Sequence, residues 1–473
     1  MDSANLAYSS LDGVLFNKNH TTLIRYPAPI TGAYSIPAGV TSIGGGAFRG
    51  CAGLTSISIP AGVTSIGGYA FNGCIGLTSI LLPAGVTAIS EGLFKGCTAL
   101  TSVSIPGIAT SIGAYAFEDC AGLSSVSVPN SVTRIDDGAF RRCAGLSSIS
   151  IGRGVTEIGI EAFTGCTGLT GFTVDALNSK YRSIDDALFW RSPLGLIRVP
   201  ARKAGPYSIP NGVTGVSDDA FDGCSDLTSV HIPASVTGIS SFRGCRQLTA
   251  INVDPQNQKF SSTDGVLYDR VGIRLIRFPA GRAGHYSVPA RVIIFETGAF
   301  ESCRGLRSLL YAGDSPGAAP TSADVAPGFT VYYLRGSFGF TSPTWLGFPS
   351  VMIDRAVHPA AEWLLGYGLP YDSNLNQDLN GDGVNLLVAY ALNLDPNLNL
   401  RASLPAPMLG PENLSLSFHG ASPGITYAAE TSTNLLHWTT AGVILTAPGA
   451  DGRRTASVAR DGPMRFLRLR VGD

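Results

Sequence analysis

The sequence predicts a mainly β solenoid of 23-residue turns with hairpin inserts, followed by a short helical segment and a small C-terminal β-sandwich. Three observations carry that expectation. Cys51, Cys74, Cys97, Cys120, Cys143 and Cys166 recur every 23 residues, and the later intervals, to Cys224, Cys245 and Cys303, are 58, 21 and 58. Phe stands three residues before each cysteine (Phe48, Phe71, Phe94, Phe117, Phe140, Phe163, Phe221, Phe242, Phe300), and Leu stands three after it, from Leu54 to Leu306. Charged residues are only 14% of the chain, against about 25% in ordinary soluble proteins, and Gly is abundant at 58 of 473. That balance favours β structure with many tight turns.

The phrase "CAGLTSISIPAGVTSIGGYAFNGC" (51–74) shows what one turn does. Leu54, Ile57 and Ile59 face one side of a strand while Ser56 and Ser58 face the other. Pro60 stops that strand, "VTSI" makes a second short one, and Gly67 and Gly68 let the chain turn. "YAF" then carries Ala70 and Phe71 beneath the next strand. One such turn cannot cover its own apolar side, so turns stack and bury one another.

The 58-residue gaps hold a longer insert. "YRSIDDALFWRSPLGLIRVPARKAGPYSIP" from Tyr181 and "FSSTDGVLYDRVGIRLIRFPAGRAGHYSVP" from Phe260 match "YSSLDGVLFNKNHTTLIRYPAPITGAYSIP" from Tyr8, each beginning 43 residues before a cysteine. Within it "DGVLF" and "LIRYP" read as two short strands joined by a polar turn, a hairpin standing off the stack. Just upstream, "MDSANLAY" aligns with "VDALNSKY" and "VDPQNQKF", pairing Asp2 with Asp175 and Asp254, and Asn5 with Asn178 and Asn257. The chain therefore starts in mid-repeat. The expectation is an N-terminally incomplete solenoid whose signal peptide belongs to the missing part, since "MDSANLAYSS" has no basic n-region or apolar h-region.

The cysteine-framed unit resembles the leucine-rich repeats of the BspA-like bacterial surface proteins, over about residues 1–310. Leu93 and Ser241 stand where the family pattern has Ala, and the turn before Cys245 is two residues short. The resemblance implies a curved, exported leucine-rich repeat solenoid from a family linked to adhesion to host or matrix proteins.

Residues 311–356 are similar to the segment that closes many such solenoids, with Tyr332, Tyr333, Phe338, Phe340 and Trp345 expected to seal apolar turns; a sugar-binding aromatic platform is the alternative. Residues 357–400 show helical apolar spacing around a carboxylate-rich loop. There Asp378, Asn380 and Asp382 alternate before Gly383, as in calcium loops. The segment resembles dockerin-like or thrombospondin-type calcium loops, which makes calcium the one cofactor expected. Ala389 occupies the position of the bidentate carboxylate, so Asp372, Asn374, Asn376 or Asp395 would have to supply the missing oxygen, and a metal-free helix-capping loop is the equal alternative. In residues 401–473, "NLSLSF", "ITYAAETS", "LLHWTT", "GVILTA", "RRTASVA" and "MRFLRLRV" read as six strands. Their phrases "STNLLHW" and "RFLRLRV" are similar to a terminal β module of exported repeat proteins.

Nothing in the sequence argues for an enzyme. "GDSPG" around Ser315 and "GASPG" around Ser422 match a nucleophile-elbow pattern, but Pro316 and Pro423 follow and have no N–H for an oxyanion hole. The cysteines lack the paired spacing of a zinc site, and as a stacked column they are badly aimed for disulfides. They read as buried small apolar groups. Lys plus Arg (33) balance Asp plus Glu (34), so no excess field gathers nucleic acid, and no apolar run is long enough for a membrane span.

What remains is surface. The outward strand positions expected to form a binding face are Ser56, Ser58, Ser79, Ser102, Ser104, Ser125, Ser127, Ser148, Ser150, Thr173, Ser229, His231 and Asn252. This points to a non-catalytic, cell-surface or secreted scaffold that binds or adheres to protein or glycan partners. The alternatives are a structural spacer displaying the C-terminal module, or the accessory part of an enzyme lost upstream.

Overall fold

A computed structural model describes residues 5–239, 241–460 and 465–472. Asp2 of the N-terminal alignment and Met464 of the last expected strand lie outside them. The chain is mainly β, as the period requires, and its contacts divide it into two compact units: residues 1–282 with 295–303, and residues 283–294 with 304–473.

In the first unit each turn lays one strand on a front ladder and one on a back ladder, and the neighbours on both ladders are parallel. On the front, Ser125–Val128, Ser148–Ile151 and Gly171–Val174 pair in unbroken register, Ser125 with Ser148 and Ser148 with Gly171. Gly205–Ser208, Leu227–Ile232 and Ala250–Val253 repeat the arrangement. On the back, Ser111–Ile112, Arg134–Ile135 and Glu157–Ile158 form the matching narrow sheet. The 23-residue spacing is the length that returns each residue to the place of its counterpart.

Between the ladders the repeated apolar residues become columns. The rings of Phe48, Phe71, Phe94, Phe117, Phe140 and Phe163 stack with successive centroid distances of 5.1, 5.6, 5.4, 5.2 and 5.8 Å. Such pairs add about 0.5–1.5 kcal/mol each beyond the burial of their area. All nine cysteines are buried thiols, none of them joined in a disulfide. They are more than fillers, because each thiol from Cys74 to Cys166 donates to the carbonyl of the Phe one turn back, at 3.0–3.1 Å. Burial pushes the thiols up, Cys97 and Cys166 to about 12. The coils approach so closely at the corners that Gly67 is obligatory: a Cβ there would lie 2.5 Å from the Gly45 nitrogen.

The inserts differ from the expectation of a hairpin standing off the stack. Each is a three-stranded meander, as in Tyr181–Ile184, Ala187–Arg191 and Leu194–Arg198. The third strand joins the back ladder in parallel, Gly195 opposite Gly215 and Leu196 opposite Val216. Phe189 and Leu196 are wholly buried. The insert is part of the wall because its own apolar face needs the same cover as any other turn. Two side chains lock it there. Arg198, 3% exposed, donates to the carbonyls of Asp219 (2.6 Å) and Asp222 (3.0 Å) at the next corner. Asn178, also buried, donates to the carbonyls of Gly152 and Val155 one turn back, and accepts from the N–H groups of Lys180 and Tyr181. Asn257 repeats this pattern, and the Asn5 oxygen accepts from Ala7 and Tyr8 as the alignment requires.

In the second unit Gly284–Val288, Leu306–Tyr311, Thr330–Leu334 and Phe348–Ile353 form a parallel sheet, edged by the antiparallel pair at Thr344–Trp345. Tyr333, Phe340 and Trp345 cluster against Tyr311 as sealing residues. Phe338 does not join them and stands 77% exposed, because its N–H is drawn outward to the Asp314 carboxylate. Two short helices follow, α1 (Ala361–Gly366) and α2 (Leu386–Ala391). Beyond them Met408–Leu409, Asn413–His419, Arg453–Ala459 and Val443–Leu445 make an antiparallel sheet, and Thr426–Ser432 pairs with Phe466–Gly472. "LLHWTT" is no strand: Ser432 and Asn434 side chains accept N–H groups of Leu435, Leu436 and His437 and hold it as turns.

Candidate functional site

The front ladder brings the expected hydroxyl residues into columns. Ser79 stands opposite Ser102, Ser125 opposite Ser148, and Ser127 opposite Ser150, which in turn faces Thr173. Ser56 and Ser58 lie beside Ala33 and Ser35, Ser104 beside Leu81, and His231 beside Asn252. These positions are exposed, except that Ser229 and His231 are half-buried. Alternation along each strand puts them outside because Val126, Ile149 and Phe172 between them are buried.

A second hydroxyl column at the start of the same strands behaves differently. Thr101, Ser124, Ser147 and Thr170 each donate their hydroxyl to the carbonyl one turn back, at 2.9–3.2 Å. Those groups are spent on the stack. Among the described residues, the hydroxyls of Ser125, Ser127, Ser148, Ser150 and Thr173 bond to no other protein group, so they remain available to a partner. The face is a ladder of parallel strands that offers hydrogen bonding over an extended area.

The acidic loop is built by its own backbone. Both Asp378 oxygens accept N–H groups, from Gly381 at 2.9 Å and Gly383 at 2.8 Å. Asn380 accepts from Asp382, and Asp382 accepts from Val384 at 2.8 Å and Leu400 at 2.6 Å. The Leu400 hydrogen bond is the main cause holding the Asp382 carboxyl below the usual carboxylate range. Asn385 then caps α2 by accepting from Val388. Asn374 and Asp395 cap local N–H groups too, and Ala389 is buried in α2. Calcium takes six to eight oxygens, usually with one bidentate carboxylate. Among the described residues no group of three or more His, Cys, Asp or Glu is placed to hold a metal. Asn385 is thus the one of these residues that caps α2, while Asp378, Asn380 and Asp382 bond N–H groups of their own loop and of Leu400.

The two serines of the elbow pattern are engaged elsewhere. Ser315 Oγ accepts from the Gly317 N–H, and Ser422 Oγ donates to the Tyr390 carbonyl at 2.8 Å. Sequence reasoning missed the groove beside the second insert, lined by Ile160, Trp190, Ile197 and Val216. Its only signal was that Ile160 and Trp190 break the repeat's own pattern.

Among the described residues no helix is long and apolar enough to cross a membrane. A leucine-rich cell surface protein of Faecalibacterium prausnitzii A2-165 superposes with a TM-score of 0.53 at 28% identity, covering 70% of this chain and 87% of that one. A leucine-rich repeat protein of Bacteroides ovatus gives a TM-score of 0.41 at 20% identity, over 75% of this chain and 99% of that one. The pneumococcal vaccine antigen PcpA gives 0.43 at 17%, over 69% and 76%. No curated relative matches the chain. The family model described as the BspA type leucine-rich repeat region matches residues 31–146, 94–207, 135–263 and 203–279, together more than half of the sequence. The 23-residue frame, the stacked coils and that match agree: the chain belongs to the BspA type leucine-rich repeat proteins.

Proposed function

We propose that the protein is an exported, cell-surface scaffold that binds an extended protein or glycan partner on the hydroxyl face of its front ladder. The observation that carries this reading is the contrast between the two hydroxyl columns. One is consumed by the stack, while Ser125, Ser127, Ser148, Ser150 and Thr173 project at regular spacing with no partner among the described residues. A repeat protein that needed only a wet surface could place charged residues there, as soluble sheets commonly do. The cell-surface description of the Faecalibacterium protein supports the location. Nothing in the geometry of Ser315 or Ser422 supports catalysis.

The test is solid-phase binding of the full chain to a panel of matrix proteins and glycans, beside a variant with Ser125, Ser127, Ser148 and Ser150 replaced by Ala. The expected loss is about tenfold or more for at least one ligand, in line with several hydrogen bonds of about 1 kcal/mol each. Absence of any ligand above background would favour the spacer reading instead.

A further inference from the structure

We infer that the corner around Arg304 and Arg307 is a binding site for an anionic glycan, a sugar that carries a sulfate or carboxylate group. The site lies in the second unit, apart from the hydroxyl face of the first, and does not rest on the binding reading above. In the eight coils before it, the residue four after the cysteine, from Thr55 to Thr249, is always Thr or Ser. Thr101, Ser124, Ser147, Thr170 and Thr249 use that hydroxyl to bond the carbonyl one turn back. At Arg307 the frame gives up this stitch and puts a guanidinium in its place.

Both arginines are exposed, and among the described residues neither side chain has a hydrogen bond or an ion pair. Arginines that serve the fold are spent by contrast: Arg198 on the Asp219 and Asp222 carbonyls, Arg282 on the Asp264 carboxylate at 2.7 Å. Arg304 and Arg307 line one open pocket of about 440 Å³, and among the described residues no carboxylate lines it with them. Backbone bonds set its walls: the Gly284 N–H donates to the Gly305 carbonyl at 2.8 Å on one side, and the Ala326 N–H to the Leu306 carbonyl at 3.0 Å on the other. Two unpaired guanidiniums beside a cavity without a counter-charge select an oxyanion, whose oxygens match the planar N–H fork.

The bed of the pocket decides what bears that oxyanion. Ala283, Gly305, Ala326, Pro327 and Gly328 form it. They offer no aromatic face on which a nucleic-acid base could stack, and no large apolar side chain to hold the anchor residue of a peptide. Nor is a strand edge open beside Arg307, since Leu306–Tyr311 pairs with Gly284–Val288 on one side and Thr330–Leu334 on the other. A bed of such small groups lets a pyranose ring come close to the backbone while its charged substituent reaches the two forks.

The experiment uses the full chain and fluorescein-labelled probes read by fluorescence polarisation. They are a heparin hexasaccharide, the same hexasaccharide stripped of its sulfates but keeping its carboxylates, neutral maltohexaose, and hexaglutamate. At least one of the anionic sugars is expected to bind about tenfold or more tightly than maltohexaose and hexaglutamate, and the tighter of the two names the oxyanion. Arg304→Gln and Arg307→Thr should each weaken that binding about tenfold, as the loss of charge-assisted hydrogen bonds requires. Arg307→Thr restores the residue type of the earlier coils, so it should keep the wild-type thermal midpoint. Arg153→Gln, at an exposed position outside the pocket, should leave binding unchanged. No binding of either anionic sugar, binding indifferent to both pocket substitutions, or a loss as large in Arg153→Gln overturns the inference. Equal binding of hexaglutamate assigns the pocket to acidic peptides and equally overturns it. The variant with Ser125, Ser127, Ser148 and Ser150 replaced by Ala should bind the anionic sugar as wild type does, so failure of this site and failure of the hydroxyl face are read separately.

Discussion

Asn178 shows how one side chain can hold two turns together. It is buried and makes four hydrogen bonds, two to carbonyls of the preceding turn and two to N–H groups of its own. Asn178→Ala strands those groups, and the expected cost is about 2–4 kcal/mol, measured by denaturant unfolding. His285 makes a pH prediction. Its ring lies between Ser308 Oγ at 2.9 Å and Ser287 Oγ at 3.2 Å, with Tyr332 at its edge, and desolvation lowers its pKa from 6.5 to about 4. Between those values the unfolded chain binds the extra proton, so stability is full above about pH 6.5, declines as pH falls, and levels off below about 4. The loss is of order 3 kcal/mol at most. Unfolding midpoints of wild type and His285→Gln between pH 4 and 7 check it, since the variant should lack this part of the decline. The identities of both residues were plain in the sequence. Asn178 drew notice through its match to Asn257, whereas nothing local in "AGHYSV" says that His285 loses its water.

At the scale of the element, the inserts and the acidic loop behave alike: in each, distant carbonyls or N–H groups decide what a legible motif does. "LIRVP" is visibly a strand, yet its Arg198 acts on carbonyls 21 and 24 residues away. Arg198→Met should keep the packing volume while leaving the Asp219 and Asp222 carbonyls without their donor. A destabilisation of about 3 kcal/mol is expected in unfolding curves, with hydrogen exchange rising at the corner that follows the insert. For the loop at Asp378, Asn380 and Asp382, the hydrogen bonds these side chains accept from N–H groups predict that about 1 mM calcium or an excess of EDTA leaves the thermal midpoint unchanged. A calcium-dependent rise of several degrees would assign an ion to the loop and would require another oxygen donor in place of Ala389.

For the first unit as a whole, stability is a sum over neighbouring turns, because each coil is covered mainly by the ones on either side. Removing Thr98–Cys120, one complete 23-residue repeat, rejoins Phe94 to a Phe140-like neighbour in the same register. The shortened protein is therefore expected to fold, with circular dichroism close to wild type and a modestly lower midpoint. Removing about half that length should abolish cooperative unfolding, since a partial repeat misplaces the whole Phe and Cys columns that follow. Equal tolerance of both deletions would contradict the stacking account.

The amino-acid sequence by itself determined the period, the identity of the core columns and the outward placement of Ser125, Ser127, Ser148 and Ser150. Strand alternation and a fixed repeat are local rules that need no knowledge of the remainder of the molecule. Only the tertiary structure decided that the inserts belong to the wall, that "LLHWTT" turns where a strand was expected, and that Asp382 serves the Leu400 N–H. Each of these depends on which donor reaches which acceptor across tens of residues, and hydrogen-bond competition of that kind leaves no periodic trace in the chain.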